Sequence, residues 1–421
     1  MKIAVLGLGY VGLPLATALA KHYKVIGFDV DKKRIEELKT GFDRTHELSE
    51  KELQNSSLQK THTLEDLKGC KVYIVTVPTP VHEDTNMPDL TLLKVASEMI
   101  GQVMESGAIV VYESTVYPGV TEDYCGPVLE KASGLKIGQD FFLGYSPERI
   151  NPGDKEHTVY KITKVVAGQT PDVCETLAKI YGTITTVFKA ANIKTAEAAK
   201  VIENAQRDIN IAFMNEITAI FNKDGISIYD VLEAAQTKWN FLPFQPGLVG
   251  GHCIGVDPFY LANYAQQKGH HPEVILAGRH MNDSMASIFG DFVHQHIKQR
   301  GIQNKKVLIL GLTFKENIPD LRNTKVVDLV SRLEKLGYDV DVTDPHANPH
   351  EAKKYYGMDL KDFDDLKGYD CIVGTVPHDQ FKHMTEKDFA RIGNDECLVV
   401  DLKNMWKHHK GFPAGFLKVS I

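Results

Sequence analysis

The sequence predicts an α/β protein in which two doubly wound parallel-sheet modules are joined by a helical segment containing one long helix. Three observations lead there. Short apolar runs that end in glycine turns occur near both ends, at residues 2–6 and 306–310, and strands buried on both faces carry this near-continuous apolar pattern. Between them, residues 194–222 contain neither Pro nor Gly, as expected for one uninterrupted helix. The 421 residues exceed the ~100–200 of an ordinary domain. The expected division is 1–193 for a dinucleotide-binding part, 194–300 for a central helical part and 301–421 for a second nucleotide-binding part.

In the first part, residues 2–6 run into Gly7-Leu8-Gly9-Tyr10-Val11-Gly12, and a helix follows over about 13–21. Glycines at this spacing permit a tight turn, close approach of a pyrophosphate to the backbone, and close helix packing, with the phosphates at the helix N-terminus. This is the Rossmann-like arrangement. A second strand over 24–28 ends at Asp29, where a carboxylate can accept hydrogen bonds from an adenosine ribose and would repel a 2′-phosphate. NAD is therefore expected rather than NADP. Arg34 is placed to pack on the adenine or its ribose. The alternative is a glycine turn that holds no nucleotide.

Strands over 72–77 and 109–112 lead into Pro78-Thr79-Pro80 and Glu113-Ser114-Thr115-Val116. Ligands gather at the carboxyl ends of such strands, so Thr79 and Thr115 are candidates for touching the dinucleotide; either could instead cap a turn. A strand over 141–144 delivers Glu148 and Arg149 in a loop with Pro147, Pro152 and Gly153. They are either site residues or a surface ion pair of little consequence.

On the long helix, Lys200, Asn204 and Arg207 share one face, which faces a polar cleft or forms an exposed stripe. Further on, Gly250-Gly251-His252-Cys253-Ile254-Gly255-Val256-Asp257-Pro258 sets a cysteine within a glycine turn beside a carboxylate. Glycine tolerates left-handed backbone, and a thiolate there would be a nucleophile; a free cysteine also serves as an inert core residue. The second module opens with residues 306–310 and Gly311-Leu312-Thr313-Phe314-Lys315. It lacks the full glycine signature, so a different nucleotide, or none, is expected there.

The formal net charge of −7 gives no electrostatic footprint for nucleic acid or an anionic membrane. Six cysteines are scattered without metal-ligand spacing, which suits a reducing compartment and predicts no metal. No apolar stretch approaches a membrane span and no signal-peptide core is present. A soluble cytoplasmic protein is expected.

Several motifs recur in a fixed order: GLGYVGLP at 7–14, TVPTP at 76–80, ESTVYPG at 113–119, SPERINPGD at 146–154, AEAAKVIEN at 196–204, GGHCIGVDP at 250–258 and GLTFKENIPDLRNTK at 311–325. On these the chain resembles the UDP-glucose/GDP-mannose dehydrogenase family over essentially its full length. The resemblance implies oxidation of a primary alcohol of a nucleotide sugar to a carboxylate, with two NAD per sugar and a thiohemiacetal and thioester on Cys253. It assigns catalysis to Cys253, Lys200, Asn204, Asp257, Glu148 and Thr115. Gly7, Gly9, Tyr10, Val11, Gly12, Asp29, Arg34, Thr79, Thr115 and Arg322 match NAD positions. Glu148, Arg149, Ile150, Lys200, Asn204, Arg207, Gly250, Phe314 and Lys315 match nucleotide-sugar positions, and Arg279 is a candidate contact across a homodimer interface.

Val256 and His252 stand where UDP-glucose enzymes of the family usually carry a lysine and an aromatic residue. The chain is more similar to the branch acting on UDP-N-acetylhexosamines for bacterial surface polysaccharides, with UDP-N-acetylglucosamine first and UDP-N-acetylgalactosamine second. UDP-glucose and UDP-N-acetylmannosamine are alternatives. A one-step NAD dehydrogenase would not need Cys253. Nor would a non-catalytic NAD-dependent sensor.

Overall fold

The first of two sheets is built from β1 (Lys2–Leu6), β2 (Lys24–Phe28), β3 (Gln59–Thr61), β4 (Val72–Val75), β5 (Ala108–Tyr112), β6 (Phe141–Tyr145), β7 (Lys164–Gly168) and β8 (Val187–Lys189). Their order is β3-β2-β1-β4-β5-β6-β7-β8. All neighbours are parallel except β6 and β7. Strands β1, β4 and β5 are buried almost throughout, because helices cover both faces of a parallel sheet. The strand order reverses between β1 and β4, and a crevice for a ligand opens outside the carboxyl ends at such a point.

The second sheet contains β9 (Lys306–Leu310), β10 (Asp339–Thr343), β11 (Tyr369–Gly374), β12 (Gly393–Asp401) and β13 (Leu417–Ser420). All are parallel, in the order β10-β9-β11-β12-β13. One face packs Leu308, Ile372, Phe389 and Trp406 together. The other packs Val307, Ile309 and Leu329 with Met285 and Phe289 from the helix Glu273–Gln299. Each such large apolar side chain contributes roughly 1.5–3 kcal/mol on burial, so this helix is held chiefly by its apolar stripe.

The computed structural model describes residues 1–82, 85, 87–149, 158–251, 254–302, 305–409 and 411–421. It divides into two compact units, Met1–Glu203 with Phe259–His271, and Asn204–Pro258 with Pro272–Ile421. The long helix is Ile193–Phe221. Its residues are distributed between the two. Strands β3, β7, β8 and β13 were not anticipated from the sequence; β3, β8 and β13 are short and lie at sheet edges, where alternation and burial are weakest.

The two modules share a local hydrogen-bond frame. The Gly7 amide donates to Phe28 O at 2.9 Å and the Gly311 amide to Thr343 O at 2.9 Å. The Thr76 hydroxyl donates to Leu6 O and Gly7 O at 3.0 and 2.7 Å, and the Thr375 hydroxyl to Leu310 O and Gly311 O at 2.9 and 2.8 Å. The Leu8 and Leu312 amides donate to Asp29 and Asp344 at 2.8 and 2.6 Å. One difference separates them. The Asp344 side chain is fully buried against His378, whereas Asp29 is partly exposed.

Candidate active site

In the first unit the glycine turn has a separate reason for each glycine. Gly7 adopts φ +95°, and a Cβ on Gly12 would stand 1.8 Å from Gly7 O, so the helix can begin there only without a side chain. A Cβ on Gly9 would meet nothing within 4 Å. That open approach, together with the Asp29 carboxylate already oriented by the Leu8 and Asp31 amides, fits the pyrophosphate and ribose of NAD. Tyr10 and Val11 flank the same turn, both partly exposed.

Arg34 is 4% exposed; its Nε donates to Leu8 O at 3.0 Å and it pairs with Asp43 at 2.7 Å. The guanidinium thus braces the glycine turn from inside. Asp43 is held below the usual carboxylate range, because hydrogen bonds from Thr45, Leu48 and Arg34 outweigh its burial. The Thr79 hydroxyl donates to Thr115 O at 2.7 Å, and Tyr260 donates to Thr79 O at 2.8 Å. The first contact joins the segments that follow β4 and β5.

Glu148 and Arg149 are not a surface ion pair. Glu148 is 6% exposed, and its carboxylate pairs with Lys164 while accepting the Arg149 amide at 2.5 Å. Lys164, 3% exposed, also pairs with Glu113 at 2.7 Å, and Tyr181 donates to Glu113 at 2.5 Å. Burial by itself would lower the Lys164 pKa, but the Glu113 and Glu148 charges raise it. Burial pushes Glu113 up. Sequence reasoning missed Lys164; a lysine opening the apolar strand β7 was the available signal.

The helix Ile193–Phe221 displays the predicted polar face. Lys200 is 6% exposed and its Nζ donates to Glu148 O at 3.1 Å, while Arg149 donates to Lys200 O at 2.7 Å and pairs with Glu203. One turn earlier, buried Glu197 accepts from the Gly119 and Thr121 amides at 2.6 and 2.9 Å. Burial raises Glu197 to about 7 against the pull of those hydrogen bonds. The segment 119–121 is thereby tied to the helix that bears Lys200.

In the second unit, Asn204 is 2% exposed and its amide nitrogen donates to Asp257 at 2.5 Å. Arg207 reaches the Asn204 oxygen at 3.5 Å. The glycines of the cysteine motif lie against the loop after β9. A Cβ on Gly250 would meet Asn323 O at 2.7 Å, and one on Gly251, at φ +79°, would meet the Phe314 ring at 2.8 Å. Asn323 donates to Gly251 O at 3.0 Å. Gly250, Phe314 and Lys315 together line a cleft of about 420 Å³, open solvent included, with Lys403 on its wall.

Lys403 donates to Pro246 O at 3.1 Å, and burial lowers its pKa while the Glu316 charge works the other way. It was not singled out from the sequence, although its place just past the end of β12 is where α/β sheets put ligand groups. Arg322 forms a forked contact with Asp320, at 2.6 and 2.9 Å.

Arg279 is 3% exposed and is clamped by Asp208 and Asp283 of its own chain, both at 2.6 Å. Two carboxylates at such distances orient the guanidinium within the unit. Ile150 and Cys253 lie outside the described residues. Among the described residues there is no group of His, Cys, Asp and Glu able to hold a metal ion, and no helix is long and apolar enough to cross a membrane.

A dinucleotide turn at the switch point of one sheet and a lysine-lined cleft at the strand ends of another define a nucleotide-dependent oxidoreductase with a second nucleotide site. The chain belongs to the UDP-glucose/GDP-mannose dehydrogenase family: residues 1–185 match its NAD binding domain, 194–284 its central domain and 308–408 its UDP binding domain. It is 54% identical over 408 residues to the protein CapL of Staphylococcus aureus, covering 96% of each chain. It is 52% identical over 415 residues to a UDP-N-acetyl-D-glucosamine 6-dehydrogenase of Pseudomonas aeruginosa, covering 97% of this chain and 98% of the other. The solved UDP-D-ManNAc dehydrogenase of Pyrococcus horikoshii superposes with a TM-score of 0.88 at 29% identity, covering 100% and 99% of the two chains.

Proposed function

We propose that the protein oxidises the primary alcohol of UDP-N-acetylglucosamine to the uronate in two NAD-dependent steps, with UDP-N-acetylgalactosamine as the second substrate. The geometric observation that carries this reading is the cleft of Gly250, Phe314 and Lys315, formed by the cysteine motif and the β9 loop, in a chain that also holds an NAD turn. The choice of sugar rests on relatives of 50–54% identity, two of which are named UDP-N-acetyl-D-glucosamine 6-dehydrogenases; relatives named for UDP-N-acetyl-D-mannosamine stand at 29–32%. We further propose a cytoplasmic homodimer in three parts, 1–193, 194–300 and 301–421, in which Arg279 has an internal structural role.

Bound NAD supplies the hydride acceptor. Lys315 and Lys403 neutralise the substrate pyrophosphate, and Arg207 and Gly250 shape its seat; Arg149 and Ile150 are further nucleotide-sugar-binding residues. Lys200 accepts the alcohol proton as the first hydride leaves the carbon, and with Asn204 it stabilises the oxyanion. The Cys253 thiolate adds to the aldehyde carbon, forming a C–S bond and a thiohemiacetal; loss of a second hydride and the hydroxyl proton leaves a thioester. Water attacks the thioester, the C–S bond breaks, and the carboxylate leaves with the thiol regenerated. Glu148 is engaged by Lys164 and the Arg149 amide, so we assign water activation to Asp257, held by Asn204, and water positioning to Thr115.

The test is to measure NADH formed per sugar consumed with UDP-N-acetylglucosamine, UDP-N-acetylgalactosamine and UDP-glucose. About two NADH per sugar are expected by the thioester route, with the first sugar preferred. About one would remove the thioester from the mechanism, and none with any sugar would sink the enzyme reading. Cys253→Ala should retain NAD binding yet give no uronate.

A further inference from the structure

The loop after β9 carries Phe314 and Lys315 into the cleft, yet residues 314–317 contain no buried side chain to anchor it. Apolar burial therefore does not fix its conformation; hydrogen bonds must. The Phe314 amide donates to Asp320 O at 3.2 Å, and both ends of the segment reach His378, whose side chain is fully buried. The Asn317 amide donates to His378 Nδ1 at 2.9 Å. Nδ1 is thus an acceptor, so the proton of this imidazole sits on Nε2. Nε2 lies 3.1 Å from the Thr313 hydroxyl and 3.0 Å from Asp344. The Thr313 hydroxyl in turn donates to Lys315 O at 2.9 Å, and Asp344 accepts the Leu312 and Thr313 amides at 2.6 and 2.9 Å. Asn317, at φ 58°, is held from its other side by the Asp379 amide at 3.0 Å.

We propose that His378 is a positioning residue for nucleotide-sugar binding: its two ring nitrogens hold the two ends of segment 313–317 and so set Phe314 and Lys315 in the cleft. The bland reading, a histidine that merely fills the core, needs no acceptor aimed at a loop amide. His378 also packs beside Phe381, with ring centroids 5.6 Å apart, so the core keeps it in place and the loop is what it orders. The same contact closes Asp344, the counterpart of Asp29, to a ribose. In this module the carboxylate serves the loop instead of a dinucleotide. This inference rests on the nucleotide-sugar reading above.

Binding of UDP alone, by titration calorimetry, separates this role from the chemistry. His378→Asn keeps an acceptor near Nδ1, His378→Gln keeps a donor near Nε2, and His378→Ala keeps neither. The expected result is UDP affinity reduced about five- to tenfold in His378→Ala, the effect of losing one or two hydrogen bonds, and less in the other two. The KM for UDP-N-acetylglucosamine should rise in step, while kcat and the KM for NAD stay within about twofold. Thr313→Val cuts the same strut from the loop side and serves if the histidine variants fail to fold. Folded variants that bind UDP like the wild type would overturn the role of His378 and leave the proposed function standing. A wild-type protein that binds no UDP would overturn both.

Discussion

Removing the Lys164 ammonium should expose how the first unit tolerates two buried carboxylates. Glu113 and Glu148 have side chains 0% and 5% exposed, and Lys164 lies between them. In Lys164→Met the apolar stem is replaced by one of similar length, so packing is retained and the charge is lost. Breaking a buried ion pair from one side costs about 3–5 kcal/mol, because the remaining charge has neither solvent nor partner. At about 2–4 °C per kcal/mol for a unit of this size, the thermal midpoint at pH 7 should fall by roughly 6–20 °C.

The pH dependence has a definite sign. Burial raises the Glu113 pKa above its unfolded value while Lys164 pulls the other way; without that lysine, Glu113 favours the folded state at low pH and loses that stabilisation as pH rises. The deficit should therefore be smaller at pH 5 than at pH 8. Adding Glu113→Gln removes one stranded charge and should recover part of the loss, a coupling that a double-mutant cycle reads directly. A Lys164→Met protein within about 1 kcal/mol of wild type at pH 7, a range usual for neutral surface changes, would refute the argument. So would a deficit that does not change with pH.

The two other predictions concern the glycine turn and Glu197. Gly9→Ala places its Cβ in open space and Gly12→Ala places it 1.8 Å from Gly7 O; Gly9→Ala should lower NAD affinity with little change in thermal midpoint, and Gly12→Ala should lower both, as thermal shift with and without NAD will show. Glu197 has its pKa raised from 4.5 to about 7, so its stabilising contribution is full below about pH 4.5 and is lost as pH rises through 7. Glu197→Gln should remove on the order of 3 kcal/mol of pH dependence between pH 5 and 8. Parallel melting curves for the two proteins across that range would refute it.

The strands that carry ligand groups were legible because central parallel strands are apolar runs that end in distinctive turns: the Lys2–Leu6 and Lys306–Leu310 boundaries agree residue for residue with the structure. The long helix was legible from its lack of breakers, and its two ends shifted by one residue. Edge strands such as Val187–Lys189 were not, since three residues carry no period. Phe314, Lys315 and Gly250 were singled out by motif, and the fold brings them to one cleft. Lys164, Lys403 and His378 were overlooked: each takes its meaning from partners far along the chain, Glu113, Pro246 and Asn317 among them.

By itself the sequence determined the local chemistry: where a glycine must stand for a helix to start, and which strands are buried on both faces. These depend on neighbours within a few residues. Only the tertiary structure decided the electrostatics. Arg34 and Arg279 pair with Asp43 and Asp208, and Lys164, which the sequence did not single out, is the counter-ion of two buried carboxylates. The reason is physical. The effect of a charge is set by its desolvation and by partners within a few ångströms, and neither is encoded in the residues beside it.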